Sequence, residues 1–230
     1  MLGRCDGHEN VGTFLIEHGA DMDLQDKDGD TALHYAASSS LPEIVKTFLN
    51  LGASHMRNHQ GLTTLHQASI SANIAVVEYL IQRLEMTREQ RVDALELLGA
   101  SFATQFLKFK YSFYSCVDEA LRYIKRGMQE RFVDASQPIL KQPNEPAYGN
   151  RKESQIREEL VQLEGDTQAI LMECLIIKER ILGMYHSELL PSIRLVCKQG
   201  NLTDPSVLIA MYSRAVDIAQ KSNLSARDDF

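Results

Sequence analysis

The stretch Asp28-Gly29-Asp30-Thr31-Ala32-Leu33-His34-Tyr35-Ala36-Ala37 decides the fold of this 230-residue chain. It returns 32 residues later as Gln60-Gly61-Leu62-Thr63-Thr64-Leu65-His66-Gln67-Ala68, with a glycine, a threonine, a leucine, a histidine and an alanine in equivalent places. A fixed spacing of about 33 residues is the signature of a solenoid, in which each repeat buries its apolar face against the next. We therefore predict an all-α chain of stacked helical hairpins.

The recurring residue types are those of ankyrin repeats, and each has a physical role. The glycines fit a turn at positive φ, and the threonines fit the N-cap of the following helix. His34 and His66 invite a catalytic interpretation, because histidine titrates near neutral pH. The repeat pattern favours a structural role for them, in which the ring bridges the turn backbones of adjacent repeats.

We predict ankyrin repeats over residues 1–83, the first of them incomplete. The second repeat runs from 26 to 57 and the third from 58 to 83, whereas residues 1–24 supply only an outer helix and its closing turn. A half-repeat leaves an apolar face uncovered. We therefore expect either a partial or shortened member of a longer repeat protein, or a partner molecule that covers this end.

The charge is uneven along the chain. The whole sequence carries 24 basic and 31 acidic residues, a formal net charge of −7. Residues 1–83 contain 5 basic and 10 acidic residues, so the ankyrin region has a net charge of −5. This balance disfavours nucleic acid as a partner and favours a basic protein or peptide.

No pattern in the sequence indicates an enzyme, a metal site or a cofactor. The four cysteines include no C-x-x-C pair, and the spacings of Cys5/His8 and of His55/His59/His66 match no standard metal site. Phosphate loops and hydrolase or metalloprotease motifs are missing. Without a signal peptide or a membrane-length apolar run, we expect an intracellular protein with no membrane partner, located in the cytoplasm or also in the nucleus.

Residues 84–135 are predicted to continue the solenoid as a helical hairpin. Its first helix spans 87–104, because Thr87 and Gln90 form a capping box, and its apolar stripe is Val92, Leu95, Leu98 and Phe102. The second helix spans about 105–132. The aromatic residues within 109–114 could form a ligand box, but a core stripe between helices is favoured.

A Pro-rich linker is predicted over 136–153, tetratricopeptide-like helices over 154–224, and a polar tail over 225–230. The first of these helices is expected to run unbroken over 154–182. Its heptad-like spacing allows a coiled-coil dimer, but a second apolar stripe favours packing within the chain. Leu175 and Val216 lie 41 residues apart in similar contexts, which is typical of a long tetratricopeptide-type repeat.

Four stretches, in this order, resemble the Fem (feminization-one) homologue family. They are Arg91-Val92-Asp93-Ala94-Leu95-Glu96-Leu97-Leu98-Gly99-Ala100-Ser101-Phe102-Ala103, Met128-x-Glu130-Arg131-Phe132, Ala147-Tyr148-Gly149-Asn150-Arg151-x-Glu153 and Glu179-Arg180-Ile181-Leu182-Gly183. The resemblance implies an ankyrin-repeat substrate receptor of cullin-2 type ubiquitin ligases. In that family the ankyrin array reads degrons at substrate C-termini, often ending in arginine, and a C-terminal box recruits elongin and the cullin.

The resemblance implies an adaptor without chemistry of its own, for which the partner subunits carry ubiquitin transfer. A helical-repeat scaffold that binds proteins without any ligase is the alternative. Ankyrin geometry places a binding surface on the turn tips and inner helices. The predicted contact residues are Asp28, Asp30, Tyr35 and Ser38 from one repeat, and His59, Gln60, Leu62 and Gln67 from the next.

Overall fold

A computed structural model describes residues 14, 16, 18–39, 41–104, 113–134, 136–141, 148, 151–199 and 204–221. The chain divides into two compact units, Met1–Glu85 (unit 1) and Met86–Phe230 (unit 2). Every regular element in the described residues is a helix, and one isolated β-bridge joins Arg57 to Thr63. The predicted all-α repeat fold is therefore confirmed.

From Ala32 to Arg83, unit 1 forms two stacked helical hairpins of the ankyrin type. Their helices are α1 (Ala32–Ser38), α2 (Pro42–Asn50), α3 (Thr64–Ile70) and α4 (Ile74–Arg83). Thr31 and Thr63 are the N-caps of the two inner helices, α1 and α3, as predicted. The histidine three residues on completes a capping box in each case, because its ring Nδ1 accepts the backbone N–H of the cap threonine.

Polar side chains join the two hairpins of unit 1. The ring of His34, only 1% exposed, lies with Nε2 3.3 Å from the carbonyl oxygen of Leu62 in the next repeat. Asn73 donates its side-chain amide to the carbonyl of Ser39 at 2.8 Å. The bridging role predicted for His34 is confirmed, so its ring has a structural role.

Five described turn residues of unit 1 adopt positive φ, namely Gly19, Gly29, Gly52, Gly61 and Ala72. Gly29 and Gly61 have φ of 79° and 78°, as the repeat pattern predicts. Ala72 adopts φ 53° although it carries a side chain. A Cβ crowds the backbone at positive φ, so alanine is strained at this position and glycine would not be.

Unit 2 is a bundle of six described helices. They are α5 (Arg88–Thr104), α6 (Phe113–Arg131), α7 (Arg157–Gln162), α8 (Thr167–Leu182), α9 (Leu189–Gln199) and α10 (Pro205–Lys221). Helix α5 packs along α6 and across α8, and α9 packs between α8 and α10. Thr87 and Gln90 exchange the predicted capping-box bonds before α5. Gly99 of α5 lets α6 approach closely, because a Cβ there would lie 2.6 Å from the Ala120 carbonyl oxygen.

Helix α5 is buried on all sides from Ala94 onward, not along one stripe. The predicted stripe is in the core, but Glu96 and Ser101 are also fully buried. The predicted stripe is confirmed, and burial extends beyond it because neighbouring helices cover more than one face of α5. Glu96 is therefore a core residue, although its charge suggests a surface position.

The predicted unbroken helix over 154–182 was wrong, since α7 ends at Gln162 and α8 begins at Thr167. Gly165 adopts φ 88° between them, and Asp166 caps α8 by accepting the amide of Ala169 at 2.9 Å. Ile170, Cys174 and Ile177, which follow the heptad-like spacing, are at most 2% exposed within the single chain. The favoured packing within the chain is thus confirmed.

Several predictions concern residues that the structure does not describe. The aromatic segment 105–112, most of the incomplete first repeat and the tail 225–230 lie outside the described residues.

On α6, Val117, Leu121, Ile124 and Met128 of the predicted stripe are buried. Leu175 is fully buried, whereas its predicted repeat equivalent Val216 is 41% exposed on α10, so the two positions differ in environment.

Candidate protein-interaction surface

Asp26 organises the first ankyrin turn. Its carboxylate accepts the amides of Asp28 and Asp30, both at 2.9 Å, and the hydroxyl of Tyr35 at 2.6 Å. The hydrogen bond from Tyr35 is the main cause that lowers the pKa of Asp26. The same bond raises the pKa of Tyr35 to about 12. The turn therefore holds an ionised carboxylate and a neutral phenol together at the surface.

The predicted contact residues of the first repeat lie around this turn. Asp28 is at its tip with 61% of its side chain exposed, and Tyr35 is 43% exposed on α1. Ser38 is exposed and donates its hydroxyl to the carbonyl of Tyr35. Asp30 is half-buried and accepts the side-chain amide of Asn58 at 2.9 Å. Asp28 and Tyr35 are thus available to a partner, whereas Asp30 joins the two repeats.

The predicted residues of the second repeat divide in the same way. His59 and Gln60 are exposed at the second turn tip, where the amide of His59 donates to the carbonyl of Asp28 at 3.0 Å. Gln67 is half-buried on α3. Leu62 is only 4% exposed, so its side chain belongs to the core and the predicted surface does not extend to it. The structure brings the two turn tips together through the bond between His59 and Asp28.

The surface beside α1 is acidic. Five aspartates lie between residues 21 and 30, against the single cation Lys27. Asp21, Asp26 and Asp28 are exposed, while Asp23 accepts bonds from the amide and hydroxyl of Ser54 in the next repeat. Closely spaced exposed carboxylates create a negative local potential that attracts basic ligands.

The sequence prediction omitted Asp26, the residue that organises the turn. Its signal is present, because an aspartate three residues before a turn glycine can accept the amides of the following turn. The aromatic partner Tyr35 lies nine residues away and is brought near only by the fold. Asp26 therefore joins Asp28 and Tyr35 in the candidate surface.

Unit 2 encloses a group of charged side chains that we call the buried charge cluster. Its members are Glu96, Arg131, Lys141, Glu153, Glu173 and Arg180, and the half-buried Asp93 lies at its edge. Arg180 donates to Asp93 at 2.7 Å, to Glu96 at 2.7 Å and to Glu153 at 2.9 Å. Lys141 also pairs with Glu96 and Glu153. Although burial opposes its charge, these carboxylates raise the pKa of Arg180.

A second polar group lies on the neighbouring residue of α8. Glu179 accepts the hydroxyl of Tyr148 and pairs with Arg214 of α10. Tyr148 is only 5% exposed, and burial together with Glu179 raises the pKa of its phenol. Glu179 and Arg180 thus connect α8 to α5, to α10 and to the segment before α7.

All four motif stretches singled out in the sequence contribute to these two groups. They supply Asp93 and Glu96, then Arg131, then Tyr148 and Glu153, and finally Glu179 and Arg180. The motifs are separated in sequence, and the fold brings them together through buried hydrogen bonds. The motif residues therefore act in the core of unit 2.

No group of three or more histidine, cysteine, aspartate or glutamate side chains among the described residues is placed to hold a metal ion. None of their helices combines the length and apolar character that crossing a membrane requires. The acidic surface of the ankyrin turn is therefore the candidate site.

Comparisons with known proteins agree with this architecture. A family model of ankyrin repeats, in three copies, matches residues 2–90. Protein fem-1 homolog A of Danio rerio is 34% identical over 176 residues, which cover 73% of this chain and 27% of that protein. Protein fem-1 homolog C of Homo sapiens is 32% identical over 189 residues, which cover 79% of this chain and 29% of that protein. The chain belongs to the Fem-1 homologue family.

A third relative extends the match along most of the chain. Protein fem-1 homolog A-like of Mus musculus is 28% identical over 227 residues, covering 82% of this chain and 34% of that protein. The chain thus spans about a third of the length of the Fem-1 relatives that it matches. Its ankyrin repeats and its Fem-1 relatives together support a protein-binding repeat adaptor.

Proposed function

We propose that this Fem-1 family chain is the substrate-recognition subunit, or part of one, of a cullin-RING ubiquitin ligase. In this role unit 1 reads a degron of the substrate, and partner subunits of the elongin and cullin-2 type carry out ubiquitin transfer. The chain itself is a non-enzymatic adaptor. The family relationship supports this role, and the exposed acidic turn of unit 1 supports a protein ligand for it.

The observation that carries the proposal is the arrangement of Asp26, Asp28 and Tyr35. Asp26 fixes the phenol ring of Tyr35 through a 2.6 Å hydrogen bond and remains ionised. Asp28 extends the negative charge to the turn tip with 61% of its side chain exposed. A guanidinium or ammonium group can pair with the carboxylates and lie against the aromatic ring. The ligand favoured by this chemistry is a basic peptide, and the family resemblance implies that its basic residue lies at the C-terminus.

A scaffold that binds proteins without a ligase is the second candidate. The aligned regions cover only 27–34% of the Fem-1 relatives, so those proteins have long segments with no counterpart in the alignment. If a ligase contact depends on such segments, unit 1 can still bind peptides while the chain recruits no cullin. The two candidates differ in their partners and share the acidic surface.

Affinity purification of the tagged natural protein from cells separates the two candidates. We expect elongin and cullin-2 to co-purify with the wild-type protein and with Asp28→Lys, while basic-tailed substrates are recovered only with the wild type. Substrates without any cullin support the scaffold and contradict the ligase role. Cell fractionation of the same samples tests our proposed location in the cytoplasm or nucleus.

A further inference from the structure

Lys27 is the single cation among residues 21–30, which contain five aspartates. Its side chain is 88% exposed, and its Nζ lies 4.0 Å from a carboxylate oxygen of Asp28. Both residues lie at the tip of the first ankyrin turn, where we propose that a basic ligand binds. The turn therefore carries a cation of its own beside one of the carboxylates that the ligand would contact.

Most of the carboxylates in this stretch already accept hydrogen bonds within unit 1. Both oxygens of Asp23 and both oxygens of Asp26 accept such bonds. One oxygen of Asp21 and one oxygen of Asp30 do so as well. These four aspartates therefore use part or all of their hydrogen-bonding capacity to hold the turn and the neighbouring repeat.

Asp28 differs from the other four aspartates. Among the described residues, none donates a hydrogen bond to its carboxylate oxygens, and its ion-pair partner is Lys27. A guanidinium binds a carboxylate most strongly when it reaches both oxygens at once. Asp28 is thus the carboxylate of the turn best placed to receive a guanidinium, and Lys27 is the group that already faces it.

We infer that Lys27 is a built-in competitor of the ligand, because its ammonium group faces Asp28 in the free protein and must move aside when a basic ligand binds there. This inference rests on the proposed function of unit 1 and adds a residue that limits its affinity. Lys27 makes no hydrogen bond and no second ion pair among the described residues. Its side chain can therefore leave Asp28 without breaking a contact that holds the fold.

The exposure of the pair sets the size of the effect. Because the side chains of Lys27 and Asp28 are 88% and 61% exposed, water and salt screen their attraction. Exposed ion pairs of this kind are weak, so we expect that removing the charge of Lys27 raises the affinity for a basic peptide about two- to threefold at low salt. The gain should shrink as the salt concentration rises.

Fluorescence anisotropy of a labelled peptide ending in arginine, measured with the full chain, tests the inference. Lys27→Gln should bind the peptide more tightly than the wild type by this factor, whereas Lys27→Arg keeps the charge and should bind like the wild type. Lys46→Gln is the matched control, because it removes another cation of unit 1, one that pairs with Glu43 on the outer helix α2. Its affinity should equal that of the wild type.

A second comparison separates competition for Asp28 from a general effect of charge. Asp28→Asn removes the carboxylate for which the two cations compete, so adding Lys27→Gln to this variant should leave the affinity nearly unchanged. An equal gain with and without the Asp28 carboxylate, or no gain from Lys27→Gln in the wild type, overturns the inference and leaves the proposed function standing. If neither the wild type nor any variant binds the peptide, the proposed function is wrong and the inference falls with it.

Discussion

Arg180 donates to Glu96 at 2.7 Å inside unit 2, where the Glu96 side chain has no exposure to solvent. The two residues lie 84 positions apart, and both belong to motifs that mark the Fem-1 family. Arg180 also binds Asp93 and Glu153. One guanidinium therefore ties α8 to α5 and to the segment before α7.

Replacing this guanidinium should destabilise unit 2. Arg180→Ala leaves Glu96 and Glu153 buried with only Lys141, and loss of one partner from a buried ion pair costs about 3 kcal/mol or more. Urea unfolding measures the change in free energy, with the exposed Arg157→Ala on α7 as the matched control. A loss no greater than that of the control contradicts the structural role of Arg180.

The two equivalent turn glycines of unit 1 should respond differently to alanine. Gly29 and Gly61 have nearly the same φ, so strain alone costs about 1 kcal/mol at each. A Cβ on Gly29 would lie 2.6 Å from the backbone nitrogen of His59, whereas a Cβ on Gly61 meets nothing within 4 Å. Gly29→Ala should therefore cost at least about 1 kcal/mol more than Gly61→Ala in chemical denaturation. Equal losses rule out the close contact between the turns.

Ala72→Gly should stabilise unit 1, in contrast to most substitutions of a buried residue. Glycine removes the strain of φ 53°, worth about 1 kcal/mol, and part of this gain is offset by backbone entropy. Ala68→Gly, inside α3, is the matched control and should destabilise by a similar amount. Thermal unfolding of the two variants should give shifts of opposite sign. Destabilisation by both variants shows that Ala72 is not strained.

The sequence predicted unit 1 well because its signals are local. The turn glycines, the threonine caps and the inner-helix alanines recur at one spacing, and each acts on residues only a few positions away. The bridging role of His34 followed from the same repeat pattern. Leu62 was misplaced on the surface because turn position alone does not show which side chain is drawn between repeats.

The buried charge cluster could not be predicted in this way. Glu96, Glu153 and Arg180 look like solvated helix or loop residues, and only the fold shows that their partners lie 12 to 87 positions away. The break before α8 had a readable signal, since Gly165 followed by Asp166 combines a glycine suited to a helix end with a capping residue. The apolar spacing across 154–182 suggested continuity more strongly than these two residues suggested a break.

The central claim is that the acidic turn of unit 1 binds a basic peptide tail. Fluorescence anisotropy of a labelled peptide ending in arginine tests it most directly, with the same peptide ending in glutamate as the ligand control. Asp28→Lys reverses an exposed charge, and it avoids Asp30, which holds Asn58 in the adjacent repeat. Glu43→Lys reverses an exposed charge on the outer helix α2 and is the matched control.

The proposed function predicts that Asp28→Lys lowers the affinity for the arginine peptide about fivefold or more. This effect should shrink as the salt concentration rises. Glu43→Lys should bind like the wild type, and both variants should unfold at the wild-type temperature. Equal affinity of the wild type and Asp28→Lys, or no preference of the wild type for arginine over glutamate, contradicts the claim.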